Sequence, residues 1–168
     1  MVNRGLKPFL FVTRTKPCSN PASDKIFAMT TDHSLEVPRA AAAVALSGVA
    51  LIHLLELQTK LREVPYLGVG YLALIIGCVA AGSLLVHRNS PLGWRIAGLS
   101  SLGALVGYSL TRTTGLPLSH DDIGNWLEPM GLASLFVESV VVLLAAYALG
   151  YQARTRQASA PGQLQANV

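Results

Sequence analysis

Residues 67–86 read LGVGYLALIIGCVAAGSLLV, twenty positions without a charged side chain. At 1.5 Å per residue a helix of this length covers about 30 Å, the thickness of a bilayer hydrocarbon core. A helix apolar on every side otherwise belongs at the centre of a large protein, and too little polar chain surrounds this one to bury it. The stretch therefore reads as a membrane span.

Three further runs share this character. Residues 40–57 are apolar apart from His53 and Glu56, and residues 130–150 apart from Glu138, with Pro129 ahead of them at a first-turn position where its missing N–H costs nothing. Residues 94–111 are richer in Gly and Ser, with Arg95 near the start, where it can snorkel toward the headgroups. The composition agrees: of 168 residues, 51% are hydrophobic and 13% charged, against roughly 25% charged in soluble domains. The expected fold is all-α, a four-helix transmembrane bundle spanning residues 39–151 of an inner membrane, crossed several times. A polar segment, residues 1–38, precedes it, and a polar tail, residues 152–168, follows; both are expected to be largely disordered. The apolar stretch Phe9–Val12 is too short for a signal-peptide core. Met29 offers a second start directly ahead of the first span, so residues 1–28 read as dispensable. Cys18 lacks the lead-in of a lipidated cysteine.

Orientation follows from the cationic residues, which are retained on the cytoplasmic side. Arg39, Arg88, Arg95, Arg154 and Arg156 fall on the side of both termini and the middle loop, against Lys60, Arg62 and Arg112 opposite. Both termini are therefore expected to be cytoplasmic. Trp94, Tyr147 and Tyr151 mark the inner interface in this reading, and Tyr66, Tyr108 and Trp126 the outer one.

Candidate functional residues concentrate on the extracytoplasmic half. His53, Glu56 and Lys60 follow at spacings of three and four, one polar stripe along a helix. The stripe reads either as an ion pair beside a hydrogen-bonded histidine or as ligands of a divalent metal completed by Glu138. The loop after the third span carries Arg112, His120, Asp121, Asp122 and Glu128 in a chain otherwise poor in acids. These carboxylates can hold a cation or pair with Arg112, Arg62 and Lys60; their spacing is not that of an EF-hand. Glu138 lies nine residues beyond Pro129, roughly 13 Å into its span, and must face the bundle with Ser134 on its own face and His53 nearest in depth.

Gly103-x-x-x-Gly107 allows close approach of two helix backbones, either within the chain or between copies in a homo-oligomer or larger membrane complex. The lipid bilayer is the one partner the composition requires; nucleic acid is not expected. The four histidines are not spaced in depth for a bis-histidine haem, and Cys78 has no thiol partner in another span. No cofactor is expected beyond the divalent metal just mentioned. The segments RTTGLP, from Arg112, and DDIGNWLEP, from Asp121, resemble a signature of small bacterial four-span membrane proteins, and the likeness extends loosely over residues 46–149. That resemblance implies architecture and no activity. The function expected is that of an accessory, binding or transport-related membrane component; the rival is a membrane-embedded metal enzyme or redox protein using His53, Glu56 and Glu138.

Overall fold

A computed structural model describes residues 34–88 and 90–159, and among them the chain is all-helical. The proposed start at Met29, Cys18 and the end of the tail lie outside the described residues. Helix α1 covers Glu36–Glu63, α2 Pro65–Arg88, α3 Pro91–Thr113 and α4 Pro129–Ser159. Proline opens three of the four, where its fixed φ suits the first helical turn. Ser90 caps α3 by accepting the Leu92 N–H at 3.2 Å.

By length and apolarity α1, α2 and α4 can cross a membrane. The expectation of four spans meets a difference at α3. Its 23 residues cover about 35 Å, but Gly93, Gly98, Ser100, Ser101, Gly103, Gly107 and Ser109 make it less apolar than its neighbours. Helix α4 also outruns its expected span, staying helical to Ser159 where a disordered tail was expected from residue 152. Gln152, Ala153, Arg154 and Arg156 are adequate helix formers on an established helix, so elongation beyond the apolar segment is inexpensive.

The helices pack as a ring, α1 on α2, α2 on α3, α3 on α4 and α4 on α1. Val64 alone separates α1 from α2, and its N–H bonds Lys60 O at 2.9 Å. So sharp a reversal needs Gly68: a Cβ there would lie 2.5 Å from Leu61 Cδ2 and 2.8 Å from Leu61 Cα. At the far end of this hairpin Arg39 donates to the carbonyls of Leu85 and Val86, each at 3.0 Å, satisfying the last turn of α2.

The core occupies the half of the ring near Arg39. Trp94 fills it, surrounded by Ala42, Leu46, Ala81, Leu85, Ala97, Val141, Ala145 and Ala148, all buried. Gly98 lets α3 and α4 close there, with a virtual Cβ only 3.1 Å from Ala145. Large apolar side chains such as Leu51, Ile76, Phe136 and Leu143 are exposed, the distribution of a protein whose surroundings are themselves apolar.

Candidate functional site

The half of the ring opposite Trp94 is hollow. A cavity of about 420 Å³ lies there, lined by all four helices and by the loop between α3 and α4. Its cause is the small-residue stripe of α3. Gly103 and Gly107 both line the cavity, and a Cβ added at either meets nothing within 4 Å. Within the chain these glycines do not bring two helix backbones together: on α3 they leave space between the helices. Close approach occurs instead at Gly98 and at Gly131, where a Cβ would meet the Tyr108 ring at 2.5 Å.

Two polar groups bound the cavity, one deep and one at the loop end. The deep group joins α1 and α4. His53 Nδ1 donates to Val49 O at 2.9 Å, because a carbonyl can only accept. His53 Nε2 then faces Glu138 Oε1 at 3.6 Å, and that oxygen also receives the Ser134 hydroxyl at 2.8 Å. Glu138 is 1% exposed, and its second oxygen, Oε2, is buried with no hydrogen-bond partner among the described residues. Tyr71 packs edge-on against the His53 ring, centroids 4.7 Å apart, and reaches Glu56 Oε2 with its hydroxyl at 3.4 Å.

The group at the loop end is ionic. Arg112 is buried on α3 and pairs with Asp122 at 2.7 Å and, in a close contact, with Glu128. Lys60 stands 3.8 Å from Asp122 and 3.9 Å from Glu63. Arg112 thus binds the loop at two places, and its guanidinium lies over the Tyr108 ring, 4.8 Å from the centroid.

Loop backbone geometry holds these carboxylates in place. Helix α3 ends with Gly115 at φ 73°, its N–H returning to Leu110 O at 2.9 Å. Leu116 to Ser119 form a tight turn around Pro117, which places Leu118 at φ 64°, a conformation glycine would take more readily. Tyr66 donates to Pro117 O at 2.6 Å, and Gly124 N–H to Arg112 O at 2.9 Å, so the loop is fastened to both α2 and α3.

Of the residues singled out from the sequence, His53, Glu56, Arg112, Asp122, Glu128 and Glu138 all line the cavity. His120 and Asp121 do not; both are exposed on the loop. The proposed metal trio does not assemble. Glu56 is turned to Tyr71 rather than to the His53–Glu138 contact, and among the described residues no group of three or more His, Cys, Asp or Glu side chains is placed to hold a metal ion. Sequence reasoning missed Tyr71, whose hydroxyl in an apolar run was the available signal. Tyr108, read from the sequence as an outer-interface residue, is half-buried and lines the cavity. Set against protein-family models, curated proteins and solved structures, the chain matches none.

Proposed function

We propose that this is a small multi-pass protein of a bacterial inner membrane, a binding or transport-related component that holds a small, partly apolar molecule in the cavity of its extracytoplasmic half. The observation that carries the reading is the cavity itself. Its walls are largely apolar, and a few polar groups converge on it, the usual make-up of a small-molecule site. In this reading α3 is the fourth span. Its length matches that of α2, and it packs between α2 and α4, so much of its polar surface avoids lipid. Both termini are cytoplasmic, supported by the excess of arginine at that end. The pairing of Arg112 with Asp122 and Glu128 strengthens the asymmetry by neutralising an opposing charge.

Native mass spectrometry of the protein released from lipid nanodiscs tests the binding role. Wild type is expected to carry a small molecule that Gly107→Leu, which fills the cavity, does not carry. Retention of the same mass by a folded Gly107→Leu variant, or an empty wild type that binds no small amphiphile, overturns it.

A further inference from the structure

The deep end of the cavity is a cluster of hydrogen-bond acceptors short of donors. With Nδ1 committed to Val49 O, the neutral His53 ring offers only a lone pair at Nε2, and that lone pair faces Glu138 Oε1 at 3.6 Å. Oε2 is buried without a partner. Of the neighbouring donors among the described residues, the Ser134 hydroxyl is already spent on Oε1 and the Tyr71 hydroxyl on Glu56. Such an arrangement is completed either by a proton between Nε2 and the carboxyl group or by a donor that enters from the cavity.

The charges around it select the kind of donor. From α1, His53, Glu56 and Lys60 face the cavity; from α2, Tyr71; from α3, Tyr108 and Arg112; from the loop, Asp122 and Glu128. Both cations are engaged, Arg112 with Asp122 and Glu128, Lys60 with Asp122 and Glu63. Glu56 and Glu138 have no lysine or arginine partner among the described residues, so once the His53–Glu138 pair gives up its proton the uncompensated charge in the cavity is negative. Cys78 is buried in the adjoining core and brings no positive charge.

We infer that the deep end of the cavity binds the ammonium group of an organic amine, which donates N–H to the Glu138 carboxylate and to His53 Nε2 while its apolar body lies along Gly103 and Gly107. The inference rests on the binding role proposed above and names the ligand's chemical class. Binding exchanges one cation for another. In this proposal the free His53–Glu138 pair carries one proton; the incoming ammonium keeps its own protons and pairs with the carboxylate, and the pair's proton leaves to water. One proton is released per amine bound, so affinity rises toward a limit of about tenfold per pH unit while the free site is protonated and the amine remains charged.

Three probes with one body separate the alternatives: 4-phenylbutylamine, 4-phenylbutanol and 4-phenylbutyrate, titrated calorimetrically into the full chain in nanodiscs, using buffers of different ionisation enthalpy. The amine is expected to bind at least tenfold more tightly than the alcohol, with a proton released; the carboxylate is expected not to bind. Glu138→Gln should lose both the preference and the proton release. Should that variant fail to fold, the wild-type proton count and probe order still decide. Alcohol binding equal to the amine overturns the ammonium site and leaves the binding role standing. Preference for the carboxylate, or amine binding without proton release, also overturns it. Failure of all three probes overturns the ammonium site, and the binding role falls with it if the wild type is also empty by mass spectrometry.

Discussion

His53 Nε2 stands 3.6 Å from Glu138 Oε1, a contact that bridges α1 and α4 across residues 85 positions apart, at the deep end of the cavity. Because Val49 O takes the Nδ1 proton and Ser134 holds Oε1, neither side chain can turn away without leaving a buried polar atom unmatched.

The two residues should therefore be energetically coupled. Thermal unfolding in detergent of His53→Ala, Glu138→Ala and the double variant is expected to yield an interaction of about 1 kcal/mol. Additive effects would show that the contact does not stabilise the fold. Glu138→Gln should melt within about 2 °C of wild type, since an amide oxygen at the Oε1 position still accepts from Ser134.

Arg112→Ala leaves Asp122 and Glu128 without their cation and frees the loop. Breaking a buried pair costs about 3–5 kcal/mol; because Asp122 and Glu128 are partly exposed, about 1–3 kcal/mol is expected here. Limited proteolysis should show faster cleavage between Thr114 and Glu128. An unchanged cleavage rate would mean that Tyr66 and Gly124 suffice to fasten the loop.

The glycines should sort by their surroundings and not by their motif. Gly68→Ala drives a methyl into the Leu61 backbone and should destabilise by about 1–3 kcal/mol. Gly103→Ala and Gly107→Ala meet open space and should leave stability unchanged or raise it by up to about 1 kcal/mol through helix propensity. Differential scanning fluorimetry of the three variants checks the order; equal losses at all three would contradict the cavity.

Topology is open to cysteine labelling in a background where Cys18 and Cys78 are replaced. Asp121→Cys should react with an impermeant maleimide in intact cells, and Gln157→Cys only after lysis. The reverse pattern would turn the cavity toward the cytoplasm.

The helices were legible in the sequence because their signals are local. An uncharged run of twenty residues, prolines at helix starts and the polar stripe of His53, Glu56 and Lys60 each act within a few turns of chain, so the all-helical class and the approximate extents of α1, α2 and α4 could be read directly. Tertiary structure decided what depends on two elements meeting in space. Glu138 had to face inward wherever it lay, since a carboxyl in an apolar span needs a partner, but its contact with His53 follows from the ring order that sets α4 beside α1. Gly103 and Gly107 carry the same four-residue spacing whether they meet another backbone or border a void; the neighbours opposite them, and not the glycines, determine which. Glu56 turned to Tyr71 for the same reason, because a side chain's partner is chosen by distance in three dimensions, and spacing along one helix specifies only which residues share a face.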